Sequence, residues 1–251
     1  QSETKLPSAH SIVNPNRFDD RSNLNYLCAA GVCFMFLVAL NKKLRDKNWF
    51  LENSIKEPVL MDILDLVSLG TVCDVVPLIG LNRAIVYQGL KILKRKKNLG
   101  LKTLIEVSKI ESNITSYHLG YVLGPRINAG GRVGKSTHGA NLLLNKNPRD
   151  TFKLAVDLNT YNKERQILES ELLKKIMNTK YENSSDPIII LHGENWHEGV
   201  IGIIAARIKE KFNKPAIIIS VNKGIGKGSG RSIHGFDLGS TVIGAVQSGI
   251  L

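Results

Sequence analysis

Apolar residues recur at helical spacing through roughly the first two-thirds of the chain. Beyond that they gather into short unbroken runs. Residues 1–25 are polar, with Pro7, Pro15 and several Asn, and read as loop with a short strand at 11–13. The pattern then predicts a helix over 26–46, with an apolar stretch at 27–40 that closes at Asn41-Lys42-Lys43. A second helix is predicted over 58–69, with Pro58 at its first position, where a missing N–H costs nothing. A third covers 81–96. Its tail carries Lys91, Lys94, Arg95, Lys96 and Lys97, cations that suit the negative end of a helix dipole. Residues 101–109 and 137–144 read as shorter helices.

Asn147-Pro148-Arg149-Asp150 is a helix start, with Asn as the cap, Pro at the first position and Asp at the third. No Gly or Pro follows until about Lys180, and Leu154, Leu158, Tyr161, Leu168, Leu172 and Ile176 keep to one face. An unbroken helix would run roughly 50 Å, more than one small domain needs, so it is expected to connect two domains, with Asn159 the place for any break. After Asn183-Ser184-Ser185-Asp186-Pro187 the texture changes. Strands over 188–191 and 216–219 flank a helix over 199–212, which predicts a parallel pair in a small α/β domain.

Charge adds a partner to this picture. The net charge is +12, which favours a polyanion, nucleic acid ahead of a membrane surface, over an ordinary basic exterior. The three cysteines form no CxxC pair and sit among apolar residues, as reduced buried thiols do. The apolar run at 27–40 is too short to cross a bilayer. No signal peptide is recognised, the chain begins without Met, and it stops at the apolar Gly249-Ile250-Leu251. It is therefore expected to be an internal fragment of a longer cytoplasmic protein.

Three segments carry candidate chemistry. Asp74 lies in Leu69-Gly70-Thr71-Val72-Cys73-Asp74-Val75-Val76-Pro77, where a buried carboxylate would need a metal, a cation or hydrogen bonds; a helix-cap or turn Asp is the competing reading. Gly124-Pro125-Arg126-Ile127-Asn128-Ala129-Gly130-Gly131-Arg132 lacks helical or strand periodicity and reads as a functional loop. Arg126 and Arg132 could grip phosphates there, or cap helix carbonyls. Lys227-Gly228-Ser229-Gly230-Arg231-Ser232 reads as a glycine-rich anion loop, with a plain hairpin as the alternative. His197, at the strand-to-helix turn, can bind a ligand or order the loop, and Trp196 can stack a base or fill the core.

In this order the motifs resemble the RecJ family of single-strand-specific exonucleases, within the DHH phosphoesterase superfamily. Leu6-Pro7 and Val13-Asn14-Pro15-Asn16-Arg17 are similar to the stretch after the family's Asp-His-His motif. Residues 69–77 are similar to its last metal-binding motif, and 124–132 to its Gly-Pro-Arg signature, with Gly130 in place of the second Ala. Asn159, Asn162, Glu164, Arg165 and Gln166 resemble its connector helix. Trp196-His197-Glu198-Gly199 and Gly228-Ser229-Gly230-Arg231-Ser232 resemble its DHHA1 domain.

The resemblance implies an α/β fold: the C-terminal part of a DHH domain over 1–147, a long connector helix over 148–181, and a truncated DHHA1 domain over 182–251. It implies a parent enzyme that hydrolyses single-stranded DNA 5′ to 3′ to mononucleotides with two Mn²⁺ or Mg²⁺ ions, in repair and recombination. It implies Asp74 as a metal ligand. Arg126, Asn128, Arg132, Ser229, Arg231 and Ser232 would be substrate contacts, with Arg17 and His197 as weaker candidates. Single-stranded DNA would be the partner, joined by single-strand-binding protein and a helicase, with no membrane. The Asp-His-His residues would lie before Gln1, so the fragment alone is expected to be inactive. The alternatives are an oligoribonuclease or cyclic-dinucleotide phosphodiesterase with the same two domains, and a non-catalytic DNA-binding scaffold.

Overall fold

A computed structural model describes residues 6–177 and 186–250. By their internal contacts these fall into two units, one of residues 1–127 and 140–156, the other of residues 128–139 and 157–251.

The first unit is helical. Helix α1 (Ala29–Asp46) is capped by Cys28, whose Sγ accepts the Gly31 N–H at 3.3 Å. A short α2 (Trp49–Glu52) follows. The stretch after Pro58 opens as a 3₁₀ turn at Leu60–Ile63 and becomes α3 (Leu64–Cys73). The expected helix over 58–69 is thus shifted, and Pro58 lies outside it, because Val59 adopts a non-helical ψ of 88°. Helix α4 (Gly80–Leu93) packs on α3 so closely that a Cβ at Gly89 would lie 2.3 Å from the Leu64 carbonyl oxygen. Phe34, Leu64, Val67, Ile85 and Ile92 make the core between α1, α3 and α4. Buried Asn82 ties the loops to it, its Nδ2 donating to the carbonyls of Tyr26 at 2.8 Å and Pro77 at 2.9 Å.

Helix α5 (Leu99–Val107) is capped by Asn98, whose Oδ1 accepts the Leu101 N–H. A π-helical turn at His118–Leu123 leads directly into α6 (Gly124–Val133), and α7 (His138–Leu144) comes next. The strand expected at 11–13 does not form; those residues are irregular and pair with no neighbouring strand.

Helix α8 runs unbroken from Pro148 to Met177, straight through Asn159. Residues 178–185, which include the expected end near 180 and the 181/182 border, lie outside the described residues. Asn147 caps the helix as expected, its Oδ1 accepting the Arg149 N–H at 2.9 Å. Replacing it with Ala should cost about 1 kcal/mol of stability, read as a lower midpoint in urea unfolding.

The second unit holds a three-stranded sheet in the order β1 (Ile189–Glu194), β2 (Ala216–Asn222), β3 (Ile225–Arg231). Helix α9 (Glu198–Phe212) makes the crossover, and β1 and β2 are parallel, as the strand–helix–strand pattern requires. Strand β3 returns antiparallel, and α10 (Leu238–Gln247) follows it. Leu172 and Ile176 of α8 join Ile189, Leu191, Ile204 and Ile218 in one apolar core. The unit has the helix-rich α/β character that the sequence pattern called for.

Candidate functional site

In the first unit the chemistry gathers at the end of α3. The apolar run 66–73 is the body of that helix, and Asp74 is its C-cap, bonded through its own N–H to the Gly70 carbonyl at 3.0 Å. Its carboxylate is exposed, which corrects the expectation of a buried charge: the helix stops one residue earlier and its end reaches solvent. The buried carboxylate of α3 is Asp65, 2% exposed, and burial holds its pKa above the usual carboxylate value.

Two features set Asp74 apart from an ordinary cap residue. A helix C-terminus carries partial negative charge, so a carboxylate there is disfavoured until a cation joins it. Among the described residues no ion pair or hydrogen bond engages its side-chain oxygens. The next residue, Val75, is β-branched yet sits at φ +57°, a strained conformation of the kind that concentrates at functional sites. Beside it, burial and then Asp74 push the Cys73 thiol up to about 11, so Cys73 stays neutral and unreactive. No group of three or more His, Cys, Asp or Glu that could hold a metal ion occurs among the described residues. Asp74 alone does not make a metal centre.

The segment 124–132 is not a loop, as its lack of periodicity suggested, but helix α6. Its packed positions are small rather than large and apolar, which hid the helical repeat. A Cβ at Gly124 would lie 2.4 Å from the Cys73 Sγ, and one at Gly130 would lie 2.7 Å from the Lys135 carbonyl oxygen. Arg126 donates to the Val122 carbonyl at 2.7 Å, the carbonyl-capping alternative foreseen for it. Arg17 is clamped by Asp19, its Nε donating to Oδ1 at 2.8 Å, in a turn of the first unit.

In the second unit, Arg132, Ser229 and Arg231 come together around the start of α9. The glycine-rich segment is strand β3, not a loop. Its alternation does two things. Gly226, Gly228 and Gly230 face Ile219, Ile217 and Leu238, and a Cβ at Gly230 would meet Leu238 at 2.8 Å. Lys227, Ser229 and Arg231 take the other face, toward α9: Lys227 pairs with Glu198 at 2.9 Å. Gly202 leaves room for the other two, since its Cβ would lie 2.9 Å from the Ser229 Oγ and 3.2 Å from the Arg231 Nη2. Arg231 Nη1 donates to the Gly230 carbonyl at 2.7 Å. Ser232 has a different task, its hydroxyl donating to the Phe236 carbonyl to close a turn.

Arg132 donates to the Gly199 carbonyl at 3.0 Å, and a Cβ on Gly199 would strike the Arg132 carbonyl at 2.2 Å. Burial, with the nearby cations Arg165 and Arg231, pulls the Arg132 pKa down, partly offset by Glu169. Repulsion among guanidiniums costs energy that an anion would relieve. His197 caps α9, Nδ1 accepting the Gly199 N–H at 3.1 Å. It orders the turn, the second of the two roles weighed for it. Trp196 packs over Gly193 and against the apolar core, and its half-buried side chain also lines the cleft beside Arg132. A cleft of about 640 Å³ opens here, lined by Arg132, Asn195, His197, Glu198, Ser220 and Asn222, among others. Asn128 is exposed on α6.

Sequence reasoning passed over Arg165 as part of this charge cluster. It bridges Glu169 at 2.7 Å and Asn162 at 3.1 Å on α8, and Arg207 of α9 meets the same Glu169 at 3.4 Å. The Asn162–Arg165–Glu169 spacing of three and four residues was the available signal.

A parallel pair extended by an antiparallel strand, with arginines beside the crossover helix, defines a small α/β module. Residues 185–248 match the DHHA1 domain family. Over 241 residues, 93% of its length, the chain is 40% identical to the single-stranded-DNA-specific exonuclease RecJ of Salmonella typhimurium. It is 39% identical to that of Escherichia coli over the same share, and 33% identical to that of Bacillus subtilis. The chain spans 42% of the length of the first two relatives and 28% of the third. Crystal structures of RecJ from Thermus thermophilus with Mg²⁺ and with Mn²⁺ each superpose with a TM-score of 0.73 and 29% identity, covering 86% of this chain and about a third of theirs (32% and 31%). The resemblance read from the motifs is borne out, and with it the fold class.

Proposed function

We propose that this chain is part of a metal-dependent exonuclease that degrades single-stranded DNA from the 5′ end to mononucleotides, in repair and recombination. The observation that carries the reading is 40% identity to RecJ over 93% of the chain. On this reading 1–147 belongs to the DHH catalytic domain, 148–181 is its connector and 182–251 belongs to the DHHA1 domain. Asp74 supplies one hard oxygen ligand to a divalent ion, of which two, Mn²⁺ or Mg²⁺, are expected. The strained Val75 and the unpaired carboxylate on a helix C-terminus support that role. Among the described residues no further group of three or more metal-ligating side chains joins Asp74, and the ions, when bound in the whole enzyme, would supply charge neutralisation at the scissile phosphate.

Arg132 and Arg231 hold phosphates of the strand and Ser229 adds a hydroxyl donor, with Arg126, Asn128 and Ser232 as further substrate contacts. Arg17 and His197 are weaker candidates for the same role. The enzyme works in the cytoplasm, with single-strand-binding protein and a helicase supplying the strand. The test is direct. With Mn²⁺, the full-length protein should release mononucleotides from 5′-phosphorylated single strands and leave duplex intact, while the 251-residue chain alone releases none. Equal degradation of duplex would overturn the reading.

A further inference from the structure

Tyr117 and Tyr121 take no part in the site described above. They lie one turn apart where the π-helical turn begins, and their rings stack at 5.1 Å with 27° between planes. Neither is covered: Tyr117 is 61% and Tyr121 74% exposed. Two large rings in water forgo burial that aromatic side chains ordinarily gain. Their orientation is nevertheless held. His118 meets Tyr117 edge-on at 5.7 Å, and its Nδ1 accepts the Thr115 N–H at 3.1 Å.

The pair is anchored beside the end of α3. A Cβ at Gly120 would lie 3.2 Å from Val72, and the Cys73 Sγ donates to the Leu119 carbonyl at 3.5 Å. The rings therefore rise from a turn packed on the two residues that precede Asp74. The surrounding sequence is one-signed. From 112 to 149 there is no Asp or Glu, while Arg126, Arg132, Lys135, Lys146 and Arg149 occur. Exposed stacked rings in an acid-free segment suit a ligand with flat faces and negative charge. Single-stranded nucleic acid has both, because unpaired bases stack on aromatics while the phosphates meet cations.

We propose that Tyr117 and Tyr121 form a stacking platform for the bases of the single strand next to the Asp74 end of α3. The inference rests on the reading of this protein as a single-strand nuclease and adds a residue pair to it. A platform of this kind recognises any base and excludes a duplex, whose bases are already stacked on one another. It offers nothing to a sugar–phosphate chain without bases.

That contrast gives the experiment. The full-length protein in EDTA, which prevents metal-dependent cleavage, is titrated against three fluorescein-labelled probes: a dT oligomer, an abasic oligomer of the same length, and a duplex. Fluorescence anisotropy follows binding. The wild type should prefer dT to the abasic strand by about tenfold or more. The Y117L/Y121L variant, which keeps apolar bulk and helix propensity, should lose that preference and bind both strands as the wild type binds the abasic one. Y117F/Y121F should keep it. If Y117L/Y121L retains the preference, or the wild type shows none, the platform is overturned while the nuclease reading stands. If the wild type ignores both single strands, or binds duplex as well as dT, the nuclease reading falls and the platform with it. Circular dichroism melting shows that each variant is folded, and should the Leu pair unfold, single Tyr121→Leu replaces it.

Discussion

In the full-length protein, Asp74→Ala is expected to lower the rate of single-strand cleavage by about a thousandfold, with strand affinity little changed. A metal ligand contributes through charge stabilisation in the transition state, which is worth several kcal/mol, and each ~1.4 kcal/mol is about tenfold in rate. The carboxylate is exposed at a helix end and holds no packing together, so its removal should not unfold the chain. It should instead relieve an unfavourable charge at a helix C-terminus and leave thermal stability equal or slightly higher. The measurements are single-turnover cleavage of labelled DNA in Mn²⁺ and a melting curve in its absence. Near-normal turnover would remove Asp74 from the metal centre. A large fall in melting temperature would make it a structural cap.

Arg231→Ala and Arg126→Ala should then separate two kinds of phosphate contact. Arg231 lies beside Ser229 on the β3 face over Gly202, close enough to Arg132 that the two cations repel. A terminal phosphate dianion would answer that concentration of charge better than an internal diester does. The Arg231 variant should lose about 1.5–3 kcal/mol of affinity for 5′-phosphorylated strands, roughly ten- to hundredfold. Its loss for 5′-hydroxyl strands should be smaller. Arg126, half-buried and donating to the Val122 carbonyl, should weaken both substrates alike and flatten the salt dependence, as a backbone contact does. The ratio of affinities in each variant, at fixed salt, decides the matter. If Arg231→Ala keeps the 5′-phosphate preference, its role is confined to β3.

Much of this molecule was legible in one dimension, and the failures share a cause. Helix α8 was readable because its cap is chemical: Asn147, Pro148 and Asp150 satisfy or forgo the first free N–H groups whatever the surroundings. The βαβ crossover was readable because its strands are short runs of Ile, although β1 is covered on one face only and Ile190 is 52% exposed. Helix α6 and strand β3 were missed because glycine carries no hydrophobic signal. Gly124 and Gly130 are small for the sake of Cys73, Lys135 and Leu158, and Gly230 for the sake of Leu238. Each of those partners lies between five and 51 positions away in the chain. A period of two in Lys227, Ser229 and Arg231 was present, yet the intervening glycines suggested a turn.

The sequence by itself determined which chemical groups are available: a lone carboxylate ahead of a Val-Val-Pro stretch, arginines spaced along two motifs, and a basic excess with nucleic acid as its natural complement. Local rules of capping and periodicity also settled where α8 begins and where α9 and the parallel pair form, and placed α5 to within two residues. Tertiary structure alone decided exposure and company. Asp74 reaches solvent while Asp65 of the same helix is buried, because α3 turns one face to α1 and α4 and ends beyond their cover. Arg132 and Arg231, 99 positions apart, feel each other's charge because β3 and the end of α6 both pack against α9, at Gly202 and Gly199. Such proximity depends on distances through the fold, which the order of residues along the chain does not contain.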